Sequence, residues 1–121
     1  MQMELTYDDL PDGVRAIKLR GRMDLEGAAA IDLKFTSLTA SHRAFVVVDL
    51  TDVEFMASLG LATLVRNAKA ARLREGNMVL FNPRPSVRQV LASTRIDQVI
   101  LIYSDLDEAR LAAKAPPAAM G

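Results

Sequence analysis

Phe45-Val46-Val47-Val48-Asp49-Leu50-Thr51-Asp52-Val53-Glu54-Phe55-Met56-Ala57-Ser58-Leu59-Gly60-Leu61-Ala62 is the stretch on which the fold turns. Its first four residues are apolar without interruption and rich in valine, the pattern of a central strand covered on both faces. Asp49 closes that strand, and residues 51–57 read as a loop. Beyond it Leu61, Leu64, Val65, Ala68 and Ala71 form one apolar stripe at helical spacing, while Arg66, Lys69, Arg72 and Arg74 fall mainly off it. A buried strand feeding directly into an amphipathic helix is the unit from which parallel sheets are built.

The flanking sequence extends this unit in both directions. Upstream, Leu10-Pro11-Asp12-Gly13 is a strong turn signal, and Val14 to Leu19 alternates apolar and polar side chains, so residues 3–19 read as a β-hairpin. Gly21-Arg22-Met23-Asp24 breaks the alternation. A helix then follows, with Ala28, Ile31, Leu33, Phe35 and Leu38 directed inward. Downstream, Gly76 is placed to end the second helix, and Met78 to Phe81 is a buried strand. Asn82-Pro83-Arg84-Pro85 punctuates the chain before a short helix over 86–94, with Val87, Val90 and Leu91 inward. Residues 99–103 read as a last strand. A helix starts near Ser104 and Asp105, with acids close to the positive end of its dipole, and continues through Ala109, Leu111 and Ala112. Pro116 and Pro117 stop it. The expected architecture is a single α/β domain over residues 1–114, with a disordered tail at 115–121. Its mixed sheet has a parallel core and an antiparallel edge hairpin, packed with about four helices. Functional loops in such folds gather at the carboxyl ends of the strands, which directs attention to Asp24 and Ser58.

Composition narrows the function. The chain of 121 residues carries 15 basic and 15 acidic side chains, so no global field draws it to nucleic acid or to an anionic membrane. It contains no cysteine, which removes disulfides and thiolate metal sites. The one histidine, His42, lies in the polar turn Ser41-His42-Arg43 and reads as a solvated loop residue. The start of the chain lacks a basic, apolar leader, and no apolar run reaches the roughly 18 residues that span a bilayer, so a cytoplasmic location is expected. Catalysis is not expected: one histidine cannot build a Ser-His-Asp set, and no glycine-rich phosphate loop or cysteine nucleophile is present. No cofactor or metal is implied. A phosphoaspartate receiver is set aside, although Asp8, Asp9 and Asp49 imitate its acidic spacing. The turn at Pro11 leaves no room for its first helix, and no lysine follows residues 99–103.

Ser58 is the residue of most interest. A hydroxyl just before a helix reads first as an N-cap, stabilising by about 0.5–2 kcal/mol. The same place suits a phosphate, because orphan amides and the helix dipole favour negative charge there. Asp49 and Asp52 read as turn formers and Glu54 as an exposed charge. Met56 suits a core gap, and Leu59 is the better candidate for an exposed contact. The basic stripe from Arg66 to Arg74 reads as a solvated face that could also steer an acidic partner.

The stretch from Asp49 to Ala62 resembles the signature of the STAS family, the domain shared by sulfate transporters and anti-sigma factor antagonists. There a buried strand ending in Asp leads to an Asp-Ser-Ser-Gly-Leu loop at a helix start. Gly21-Arg22-Met23-Asp24 resembles the Gly-x-x-Asp after the family's second strand, and the order of elements beyond Gly60 follows the family as well. The resemblance implies a bacterial signalling protein that regulates transcription by binding an anti-sigma factor with an ATPase-type kinase domain. That kinase would break the complex by phosphorylating the loop serine, Ser58. It also implies a partner contact near the loop at Asp24, and with the residues weighed above the expected partner surface is drawn from Asp24, Met56, Ser58, Leu59, Gly60 and Arg66. Ala57 and Leu59 stand where the family carries polar residues. This departure suits an alternative within the family: a docking module that works without phosphorylation, in a stress-signalling complex or as a transporter accessory subunit.

Overall fold

A computed structural model of the chain describes residues 3–115, so the part of the expected tail beyond Ala115 lies outside the described residues. Among the described residues, five strands form one sheet in the order β1-β2-β3-β4-β5. They are β1 (Glu4–Asp9), β2 (Val14–Met23), β3 (Phe45–Met56), β4 (Asn77–Phe81) and β5 (Ile102–Tyr103). β1 and β2 pair antiparallel through the predicted hairpin, and the other neighbours run parallel. Four helices complete the domain: α1 (Leu25–Ala40), α2 (Ser58–Leu73), α3 (Pro85–Ser93) and α4 (Leu106–Lys114). The single α/β domain with a mixed sheet and antiparallel edge is therefore as expected.

The centre of the sheet is buried on both faces. On one, Ile17, Leu19, Val46, Val48 and Leu50 meet Ile31 and Phe35 of α1, Leu61 and Leu64 of α2, and Val87 and Leu91 of α3. On the other, Val14, Val47 and Val79 receive Ala109 and Ala113 of α4. This double coverage is why Phe45 to Val48 is apolar without interruption. Within the larger core, α1 and α2 share a polar contact: the Thr39 hydroxyl lies 2.8 Å from the Phe35 carbonyl and 3.0 Å from Asn67 Oδ1, and Asn67 Nδ2 donates to the Thr63 carbonyl at 2.9 Å.

Four expectations are corrected. The strand read as closing at Asp49 continues to Met56, so residues 51–57 are not a loop. Between Asp49 and Asp52, β3 takes three steps against two on β2 from Lys18 to Arg20, and it gains another between Val53 and Phe55 opposite Gly21 and Arg22. These are β-bulges, which keep a strand paired while breaking its alternation. Gly21, at φ 115°, supplies the left-handed backbone opposite the second bulge. In α1, Leu33 is 86% exposed, because two residues from Ile31 is more than half a turn around the helix. Only Ile102–Tyr103 of the expected last strand pairs, after a 3₁₀ turn at Ile96–Gln98. Finally, α2 ends at Leu73 and the left-handed residue beyond it is Glu75, at φ 66°. Glu75 and Gly76 donate to the Arg72 and Ala71 carbonyls in the pattern of a Schellman cap. Gly76 serves a close approach instead, since a Cβ there would sit 2.1 Å from the Ala44 carbonyl oxygen.

Candidate functional site

β2 and β3 end side by side, with Met23 opposite Met56, and each strand turns at once into a helix. The starts of α1 and α2 therefore lie together at the carboxyl edge of the sheet. Asp24 caps α1 by accepting a hydrogen bond from the Gly27 amide at 2.8 Å. The Ala57 amide donates to the Met23 carbonyl at 3.0 Å, which ties the two turns together. Clearance between them is minimal. A Cβ on Gly60 would lie 2.7 Å from Met23 Cγ and 2.8 Å from Met23 O, and one on Gly27 would lie 2.0 Å from Arg22 O. Glycine at these positions is what lets strand ends and helix starts approach so closely.

Ser58 is not the N-cap. Ala57 holds that place with extended backbone, φ −95° and ψ 174°, and no side chain caps α2. Ser58 is the first residue of the helix and is exposed. Its hydroxyl thus stands at the positive end of α2, where the first amides lack intrahelical acceptors. Leu59 beside it is 42% exposed, Phe55 near the end of β3 40%, and Leu25 at the start of α1 68%, so both helix starts carry exposed apolar side chains. The Arg22 guanidinium lies over the Phe55 ring at 4.5 Å and 3.9 Å from the Asp24 carboxylate. Arg22, Leu25 and Phe55 were not singled out from sequence. Phe55 looked like part of a loop because the bulges conceal its strand position, and Leu25 follows a cap whose strength only the geometry reveals.

The remaining predicted residues divide. Met56 is buried in the larger core, and Gly60 is buried against Met23. Arg66 pairs with Asp32 across α1 and α2, eight residues along the helix from Ser58, about 12 Å at the helical rise. Asp49 accepts from the Thr51 amide at 2.9 Å and the Thr51 hydroxyl at 2.6 Å, so its carboxylate binds nearby backbone as expected, but it and Asp52 lie within β3 and form no turn. Asp52 pairs with Lys18 at 3.1 Å on the open part of the sheet. The acids do not converge, and among the described residues no group of three or more His, Cys, Asp or Glu could hold a metal ion. Nor is any helix among them long and apolar enough to cross a membrane.

Residues 9–109 match the STAS domain family. The chain is 30% identical over 101 residues to the anti-sigma-F factor antagonist RsfB of Mycobacterium tuberculosis, covering 81% of this chain and 80% of that relative. Its fold superposes with a TM-score of 0.82 on an anti-sigma factor antagonist from Mycobacterium paratuberculosis, at 24% identity over 94% of this chain and 96% of that one. An anti-sigma-factor antagonist (STAS) domain protein from Planctomyces limnophilus gives a TM-score of 0.75 at 28% identity, covering 93% and 98% of the two chains. The paired helix starts at Met23 and Met56 are thus set in a known frame, and the chain belongs to the STAS domain family, in its anti-sigma factor antagonist group.

Proposed function

We propose that this protein binds an anti-sigma factor bearing an ATPase-type serine kinase domain, and that Ser58 is the residue the kinase modifies. The observation that carries the reading is the position of Ser58: an exposed hydroxyl at the first turn of α2, beside the Asp24-capped start of α1. A phosphate there adds about −1.5 to −2 charges next to orphan amides that welcome it, so the helix tolerates the modification. The docking surface does not, because Leu25, Phe55 and Leu59 form its rim and a partner covering them must desolvate the new charge. The protein acts in the cytoplasm, by reversible binding without catalysis, and regulates transcription through its partner.

Ala57 and Leu59 favour a second reading. Leu59 is exposed and apolar where the family carries a polar residue, which suits a docking module held by apolar contact without phosphorylation. Kinase treatment with ATP, mapping of the phosphate, and calorimetric titration of Ser58→Asp and Ser58→Ala against the anti-sigma factor separate the two. The first reading expects phosphate on Ser58 and a loss of affinity mainly in Ser58→Asp. Phosphate elsewhere, or none, together with equal affinity in both variants, supports the second.

A further inference from the structure

β1 is the edge of the sheet, and among the described residues no strand meets its outer side. The hairpin shows which backbone groups face outward. The Leu10 amide donates to the Val14 carbonyl at 2.8 Å, and the register runs on without interruption from Asp9↔Arg15 to Glu4↔Arg20. Hydrogen-bonded and non-bonded pairs alternate along an antiparallel ladder. Counting from Leu10, the residues bonded to β2 are Asp8, Thr6 and Glu4. The amides and carbonyls of Leu5, Tyr7 and Asp9 therefore point to the free edge. β1 carries no proline, no lysine and no bulge, and what guards it against strand addition is the charge of Glu4, Asp8 and Asp9.

The two faces of this edge differ in chemistry. On the α1 side Leu5 is half-buried against the core and Tyr7 is 43% exposed, with the Arg15 guanidinium 5.3 Å and the Lys34 ammonium 5.9 Å from its ring. Asp9 is engaged by Arg15 at 2.6 Å. On the other side stand Glu4, Thr6 and Asp8, and among the described residues neither Glu4 nor Asp8 forms an ion pair. A strand laid along β1 thus meets apolar surface flanked by cations on one face, and on the other the carboxylates of Glu4 and Asp8, with Lys18 and Arg20 of β2 on that same face but farther from the edge.

We propose that the free edge of β1 is a docking strand for an extended partner segment that alternates basic and apolar residues. Its backbone pairs with Leu5, Tyr7 and Asp9, its basic side chains face Glu4 and Asp8, and its apolar ones cover Leu5 and Tyr7. A second copy of this chain fits poorly. Its β1 brings the same three carboxylates and no cation, and antiparallel pairing centred on Thr6 sets Glu4 against Asp8 twice.

The test uses the full chain and a blocked eight-residue peptide alternating lysine and valine, with an alternating glutamate and valine peptide as comparison. Amide hydrogen exchange should show Thr6 and Asp8 protected throughout, and Leu5, Tyr7 and Asp9 gaining protection only with the lysine peptide. Tyr7→Pro removes an outward amide and should abolish binding. Should that variant fail to fold, Glu4→Lys/Asp8→Lys alters only exposed side chains. It should weaken the lysine peptide by about two- to thirtyfold, the worth of two opposite-charge cross-strand pairs, and admit the glutamate peptide. Absence of protection with the lysine peptide, or equal binding of both peptides, overturns the proposal. So does protection that rises with protein concentration alone, which would identify a second copy as the occupant.

Discussion

Ala57 decides how Ser58 behaves. Its backbone already has the extended geometry of an N-cap, yet its methyl group cannot accept a bond from the amides of α2. Ala57→Asp should therefore raise stability by about 1 kcal/mol, measured by urea denaturation. Ser58→Ala, one position inside the helix, should stay within about 0.5 kcal/mol of the parent, as an exposed residue free of special roles does. A large loss in Ser58→Ala would mean that the hydroxyl caps the helix after all. Gly60→Ala is the opposite case. Its new methyl group would press on Met23 Cγ and the Met23 carbonyl, 2.7 and 2.8 Å away, and backbone cannot yield as a side-chain tip can. A loss of about 1–3 kcal/mol is expected, the usual effect of overpacking. Sequence reading placed Ser58 within one residue of its position. It erred on the cap because a serine ahead of an apolar run is the commoner signal, whereas here strand, cap and helix follow one another without a loop.

At the scale of elements, α4 is held partly by charge. Asp12, in the hairpin turn, accepts from Arg110 at 3.1 Å and pairs with Lys114 at 3.4 Å, while the Val14 amide donates to it at 3.2 Å. Partial burial pushes the Asp12 carboxyl upward, but the Val14 amide and the two cations outweigh it and hold it below its usual value. A carboxyl lowered in the folded state stabilises fully above the unfolded value of about 3.9 and loses that contribution as pH falls through the folded one. Asp12→Asn should therefore flatten the acid limb of the stability curve below about pH 4, and exchange at the Ala109 and Ala113 amides should lose part of its acid dependence. An unchanged acid limb would place the sensitivity elsewhere, first at Asp9, whose carboxyl Arg15 also holds low. The helices were legible from the spacing of their apolar residues, and the first half of β3 from its uninterrupted apolar run. The second half was not: its buried positions Leu50, Val53 and Met56 are three apart, neither helical nor strand-like, and only the bulges reconcile them with a paired strand.

For the whole molecule, element order and apolar patterning were enough to indicate an α/β sheet covered on both faces. The placement of Arg22, Leu25 and Phe55 around Ser58 was not legible, because it depends on two bulges and on how closely two helix starts can approach. That approach has a kinetic consequence. Met23 is wedged against Gly60, and its carbonyl is bonded to Ala57, so the surface carrying Ser58 has no slack to take up when a partner arrives. The protein's own side of the interface is then a finished shape, and association is governed by diffusion, orientation and the charge at the rim. On the proposed reading, phosphate at Ser58 therefore acts twice: it changes the field that an approaching partner meets, and it shortens the stay of a partner already bound.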